Sequence, residues 1–297
     1  ALFRNVDDHA MMLRSIEPGT QGFLKRYTWN ELEPSLGVYD FSEIASHLDL
    51  VASQGMQLIV MIEDKTFVNE KPTRAYLWNN QYTRRNIPGG FSAVRYDPYV
   101  VARLKALFRA IGKRFDANPN FEGVALQESA IGFDGPTLDA TGYTPEKYRD
   151  ALIAVLSEGA QSMPTSRVFW YMNFLSRKQS YILDVALAVA PLGVVVGGPD
   201  VRPEDHALIR HTYPFYDQLK GKVKLFGQVE PSCYNHLHED PSAPTKYWTP
   251  RELYNFAKND MHANYMFWVR VGKPNPSDSY TWQDALPVMA NNPVINP

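Results

Sequence analysis

Cysteine is nearly absent from this chain. Cys233 stands alone among 297 residues, so no disulfide can form within it. This does not fix a compartment, because a core of this size holds together without crosslinks. Long apolar runs are missing too. No stretch reaches the roughly 18 apolar residues that a membrane-spanning helix needs, so such a helix is excluded. Nor does one charge dominate. The chain has 30 Lys and Arg against 32 Asp and Glu, a net charge of −2, which excludes nucleic-acid binding through bulk positive charge. Internal repeats, low-complexity tracts and flexible linkers do not occur. The opening residues, Ala1-Leu-Phe-Arg, lack the basic and apolar regions of a signal peptide.

Aromatic residues are what the chain has in quantity: 6 Trp, 17 Tyr and 15 Phe, 13% in all. Two readings fit that number, a large core and a groove in which flat apolar sugar faces stack on rings. The rest of the sequence alternates short β-like runs with amphipathic helical stretches, the pattern of a parallel sheet with crossover helices. Strands are expected over Gly22 to Trp29, Met56 to Glu63, Phe121 to Glu128, Arg167 to Phe174, Gly193 to Gly197, Val223 to Glu230 and Tyr265 to Val271. The eighth is expected at the extreme N-terminus, around Ala1 to Asn5, before a helix through His9 to Ile16. Helices are expected from Asp40, with Glu43 as capping-box partner, over Pro98 to Phe115, from Thr144-Pro145, over Ser180 to Ala190, from Thr249 with Glu252, and from Trp282. Pro203 to Leu219 reads as irregular. The expected fold is α/β, a (β/α)8 TIM barrel forming one domain over 1–297, with long loops after strands 3 and 7.

Two of the apolar runs stop on a carboxylate, at Glu128 and at Glu230. Strand ends of this kind deliver catalytic groups to the mouth of a barrel. Two carboxylates facing one cleft are the equipment for breaking a glycosidic bond. Other strand-end side chains are candidates for the same cleft: Glu63, Asp64 and Lys65 after the third strand, and Tyr171 and Asn173 on the fifth. Each also has a plain structural reading.

The segment Trp29-Asn-Glu-Leu-Glu-Pro34, followed by Gly37-Val-Tyr-Asp-Phe-Ser42, resembles the pattern that follows the second strand in clan A glycoside hydrolases. Family 42 β-galactosidases and family 5 cellulase-like enzymes are members. With the two glutamates and Trp268 the likeness spans most of the barrel. It implies Glu128 as general acid/base, Glu230 as nucleophile, a retaining mechanism, and an Arg beside the nucleophile, here Arg26. It also implies Trp29 and Trp268 at the sugar, and an extracellular or periplasmic location. Clan A enzymes usually carry Asn before the acid/base. This chain has Gln127, which can make the same hydrogen bonds with a longer reach.

Two long segments remain. Residues 64–96 carry six cations against two acids, interleaved with Phe67, Tyr76, Trp78, Tyr82, Phe91 and Tyr96. That composition suits either a solvated basic loop or a groove wall that favours an anionic polysaccharide. After the seventh strand, Cys233-x-x-His236-x-His238-Glu239 holds metal-ligand types, but no second Cys pair accompanies it. Tyr234, His236 and Trp248 therefore read as a loop bordering a sugar groove, with no metal and no cofactor expected. Three functions stand against one another: a glycosidase acting on a carbohydrate, a barrel that binds glycan without cleaving it, and a metal-dependent hydrolase.

Overall fold

The computed structural model describes residues 2–3, 16–239, 246–270, 277 and 279–296. Eight strands form one sheet: β1 (Leu2–Phe3), β2 (Gly22–Thr28), β3 (Gln57–Glu63), β4 (Phe121–Leu126), β5 (Arg167–Tyr171), β6 (Val195–Gly198), β7 (Leu225–Val229) and β8 (Tyr265–Trp268). Each pairs with the next in parallel, from β1 beside β2 through to β7 beside β8. The N-terminal strand expectation is met at Leu2–Phe3. The helix expected over His9 to Ile16 falls almost wholly outside the described residues.

The sheet curls. Laid flat, β2 and β7 would stand five strand spacings apart, about 24 Å. Yet Arg26 Nη2 on β2 lies 3.4 Å from Glu230 Oε1 at the end of β7. One face buries Leu24, Ile59, Met61, Ala125, Phe169, Tyr171, Val195, Phe226 and Phe267 together, with at least one side chain from each of β2 to β8. Phe169 of β5 meets Phe267 of β8 edge-on at 6.0 Å, across the interior. The other face is covered by helices, which build a second and larger core.

Local chemistry explains the covering helices. In Pro98–Phe115, Asp97 caps the first turn by accepting from the Tyr99 and Val100 amides, and Pro98 occupies a position where no amide hydrogen is needed. Val100, Leu104, Leu107, Phe108, Ile111 and Phe115 form its buried stripe, and Lys113 and Arg114 sit in the last turn where the helix dipole favours cations. Thr144 and Thr249 cap Pro145–Ser162 and Pro250–Asn259 as their sequences require.

Three local expectations change. The helix expected from Asp40 begins at Ser42 and has no side-chain cap. Asp40 instead accepts from the amide and hydroxyl of its neighbour Ser42, and Glu43 pairs with Lys25 at 3.2 Å. The segment 203–219 is not irregular but holds two short helices, His206–His211 and Tyr213–Leu219, the first capped by Asp205. Six or seven residues are too few to display a helical period. Inside the long segment after β3, Thr83–Arg85 and Phe91–Ala93 pair as an antiparallel hairpin.

Two glycines let backbones approach where the site is built. Gly123, at φ 153°, lies where β4 skips a residue against β3; a Cβ there would fall 1.8 Å from the Arg167 carbonyl oxygen. Gly197 on β6 lies against Phe226, whose carbonyl oxygen would be 2.1 Å from an added Cβ. Replacing Gly197 with Ala should therefore lower stability by about 1–3 kcal/mol, measured by denaturant unfolding, since neither backbone nor ring has room to move.

Candidate active site

At the C-terminal ends of the strands the curled sheet encloses a cavity of about 390 Å³, and both Glu128 and Glu230 line it. Two residues 102 positions apart in sequence therefore line one cavity. Glu230 follows β7 directly, and its inward direction is that of Phe226 and Gln228 on the same strand. Glu128 arrives differently. Inward parity on β4 belongs to Ala125 and Gln127, but the strand ends at Leu126, and the chain then turns so that both Gln127 and Glu128 reach the cavity.

Each glutamate is held by a cation and an amide. Glu230 Oε1 accepts from Arg26 Nη2 at 3.4 Å and from Gln228 Nε2, whose own Oε1 accepts from the Tyr171 hydroxyl at 2.6 Å. Glu63, at the end of β3, lies 4.0 Å from Arg26 Nη1. Glu128 Oε1 accepts from Lys65 Nζ at 2.7 Å, and its Oε2 from Asn173 Nδ2 at 2.7 Å. Burial pushes the Lys65 ammonium down from its usual value, against the raising effect of Glu128. Burial likewise drives the Tyr171 phenol well above its usual value, so it stays a donor. Gln127 Oε1 accepts from the amides of Asp64 and Lys65, at 2.9 and 2.8 Å, and this fixes which way its amide faces.

Beneath Glu128 lies a buried ion pair. Arg95 Nε and Nη2 each donate to Asp64 at 2.6 Å, a two-pronged match of guanidinium to carboxylate. Arg95 Nη1 donates to the Glu128 carbonyl oxygen, and the Tyr148 hydroxyl donates to the Ser129 carbonyl at 2.7 Å. Two of the six cations of segment 64–96, Lys65 and Arg95, are thus engaged inside the fold.

The structure brings together Arg26, Glu63, Lys65, Gln127, Tyr171 and Asn173 around the two glutamates. It does not bring the remaining candidates. Trp29 is wholly buried beside β2 and donates its indole N–H to Glu33 at 2.8 Å; Glu33 also accepts from Gly37 N and Arg103. The Trp29 to Pro34 segment thereby has a structural role: an aromatic and an acid lock the turn after β2. Trp268 points away from the interior, because the inward residues of β8 are Tyr265, Phe267 and Val269, and it packs against Tyr234 at 6.3 Å between sheet and helices. Tyr234 is buried with it and donates to the Val269 carbonyl. His236 is half-buried and bonded to the Pro203 carbonyl, and Trp248 stacks on His238 at 4.1 Å; neither lines the cavity.

The proposed metal-ligand types do not converge. Cys233 is buried with its sulfur accepting from the Glu230 amide at 3.3 Å, while the His236 ring is bound to Pro203. Among the described residues no three His, Cys, Asp or Glu side chains come together as a metal cage.

One residue was missed. Asp200, just past β6, lines the same cavity. Its carboxyl is pushed up to about 7, by burial first and then by Glu230 and Glu128. The signal was present in Val194-Val-Val-Gly-Gly-Pro-Asp200, another apolar run stopping on an acid, but Gly-Gly-Pro breaks the pattern.

This carboxyl ties stability to pH. Its folded value lies above the 3.8 of a free aspartate, so the folded chain holds the proton more tightly and loses stability as pH rises from about 4 through about 7. In Asp200→Asn that loss is absent. Thermal scans should find the variant's melting temperature, relative to wild type, climbing between pH 4 and pH 7 and level above. A difference independent of pH would contradict the assignment.

No family model matches this sequence, and no curated protein does. Solved structures match it in fold. Endo-glycoceramidase II from Rhodococcus sp., in a cellobiose-like imidazole complex, is 13% identical with a TM-score of 0.56, over 93% of this chain and 72% of that one. A β-galactosidase from Bacillus circulans sp. alkalophilus is 8% identical with a TM-score of 0.57, over 90% of this chain and 51% of that one, so this chain spans about half its length. GH5_18 from Streptomyces cattleya, in complex with GlcNAc, is 15% identical with a TM-score of 0.59, over 91% and 70%. These are clan A glycoside hydrolases, and it is their α/β fold that this chain shares.

Proposed function

We propose that this chain is a retaining glycoside hydrolase that cleaves β-linked oligo- or polysaccharides, and that residues 1–297 form one catalytic (β/α)8 barrel. The observation that carries the reading is that Glu128 and Glu230 line one cavity, each with its own cation. A cleft bearing two such carboxylates supports glycoside hydrolysis, and the resemblance to clan A enzymes favours double displacement. Glu230, held by Arg26 and Gln228, attacks the anomeric carbon while Glu128 gives its proton to the departing oxygen. Water then enters, Glu128 takes its proton, and the glycosyl–Glu230 bond breaks. The NH2 end of Gln127 is oriented to serve the sugar hydroxyl next to the reacting carbon.

The solved neighbours add support for a β-linked sugar: one holds a cellobiose-like ligand, another Manb1-4GlcNAc. The loop after β3 bears on substrate length. Phe67 lines the cavity and is 39% exposed, Trp78 is 45% exposed with Lys71 Nζ 4.8 Å from its ring, and Arg85 lies 4.9 Å from the Phe91 ring. Apart from Phe67 these rings and cations are not part of the cavity lining, and they suit a long glycan whose acidic groups are remote from the cleaved bond. Replacing both Arg84 and Arg85 with Ala should weaken turnover of charged glycans at low salt and leave short aryl glycosides alone.

Turnover of aryl β-glycosides tests the reading against a barrel that only binds glycan. Glu230→Ala should abolish it, with azide restoring activity and yielding the α-glycosyl azide. Glu128→Ala should cost about 100- to 10,000-fold with a poor leaving group and much less with a good one. Sugar binding by wild type with no turnover of any glycoside would establish the binding barrel instead.

A further inference from the structure

Asp200 differs from both glutamates in its company. Glu128 has Lys65, and Glu230 has Arg26. The cation nearest Asp200 along the chain, Arg202, is engaged with Asp205 at 3.0 Å. The Asp200 main chain is anchored, since its carbonyl accepts from the Tyr213 hydroxyl at 3.1 Å. Its carboxyl, by contrast, has neither a hydrogen-bond donor nor an ion-pair partner among the described residues, and it opens onto the cavity. A fold that satisfies two acids of one cavity and leaves the third unpaired directs that third acid at something outside the chain.

Other groups here also lack partners. Arg26 is more than nine-tenths buried, yet its Nε and Nη1 have no hydrogen-bond partner. Asn173, equally buried and bonded through Nδ2 to Glu128, leaves its Oδ1 without one. Buried polar groups without protein partners around a cavity call for a polar ligand. Charge then narrows the ligand. Among the cavity-lining residues Glu128, Asp200 and Glu230 are acids and Arg26 is the cation. A carboxylate brought to this wall would meet like charge in a partly enclosed site, whereas an ammonium would find Asp200 unpaired.

We infer that Asp200 is the residue that sets sugar specificity, and that the cavity takes an amino sugar whose protonated amine hydrogen-bonds to the Asp200 carboxylate. Resting on the glycosidase reading, this names the sugar at the cleaved bond. Burial holds the proton on Asp200 up to about 7 in the free protein, so an ammonium that pairs with the carboxylate below that pH displaces this proton to solvent. The cations of the outer loop do not enter, since they lie beyond the cavity.

The test compares p-nitrophenyl β-glycosides of glucosamine, N-acetylglucosamine, glucose and glucuronic acid with wild type, Asp200→Asn, Asp200→Glu and Glu230→Ala. Wild type should favour the glucosaminide over the glucoside in kcat/KM and turn over the glucuronide least. In Asp200→Asn that preference should fall by about tenfold or more, the range expected for losing a hydrogen bond to a charged group. Asp200→Glu should retain part of it. Equal preference in wild type and Asp200→Asn, or a wild type that favours the glucuronide or the N-acetyl sugar, would overturn the inference while loss of turnover in Glu230→Ala kept the glycosidase reading. Calorimetry with methyl β-glucosaminide separates the two ideas from the other side. If no glycoside is turned over but wild type binds this amine at least tenfold more tightly than Asp200→Asn, the inference stands without the reaction; equal binding removes it.

Discussion

The pairing of Asp64 with Arg95 is the interaction on which the cavity wall depends. Asp64 follows the third strand and Arg95 follows the hairpin of the long segment, so a single two-pronged contact across 31 positions ties the loop back to the sheet. The remaining face of the guanidinium reaches the main chain at Glu128 and the hydroxyl of Tyr148. One cation therefore fixes the strand end that carries Lys65, the turn that carries Glu128 and the helix behind them. Both charges lie out of water, where removing one partner costs roughly 3–5 kcal/mol because the other is stranded. Such a pair adds little net stability over well-packed apolar groups. What it provides is position: Lys65 and Glu128 meet at 2.7 Å because their backbones cannot drift apart.

The glutamates divide the work of the wall between two supports. Glu230 depends on side chains from across the curled sheet, Arg26 from β2 and Tyr171 from β5 acting through Gln228. Glu128 depends on its neighbours, Lys65 and Asn173, which leave strands on either side of its own. The first arrangement requires a curved sheet, and Gly197 and Gly123 stand at points where neighbouring backbones crowd. The layer of Phe169, Phe226 and Phe267 beneath the cavity fills the interior that this curvature creates.

Strand order, most helix starts and the two glutamates were legible in the sequence because each leaves a local mark: an apolar run, a capping residue, a proline in the first turn. The parallel order follows from alternation alone. What failed did so for particular physical reasons. Trp268 was misplaced because period-two parity gives two faces without saying which is inside, and the inward set proved to be Tyr265, Phe267 and Val269. Trp29 and Tyr234 were expected at a sugar because aromatics serve cores and clefts equally well, and no local signal separates the uses. The helices of 203–219 are shorter than the period that would reveal them. Asp200 escaped because Gly-Gly-Pro interrupts the apolar run before it, and its raised pKa comes from burial and from two acids distant in the chain.

Cys233 carries a practical consequence. Burial, with the nearby acid Asp200 adding to it, drives its thiol pKa well above the ordinary range, so almost no thiolate forms in neutral solution. Oxidants and alkylating reagents act on thiolates, and this sulfur, although it touches the amide of Glu230, is closed to them. The chain's one sulfhydryl is thus a poor target for oxidation or alkylation, and storage in air without reductant is expected to leave the cavity unchanged.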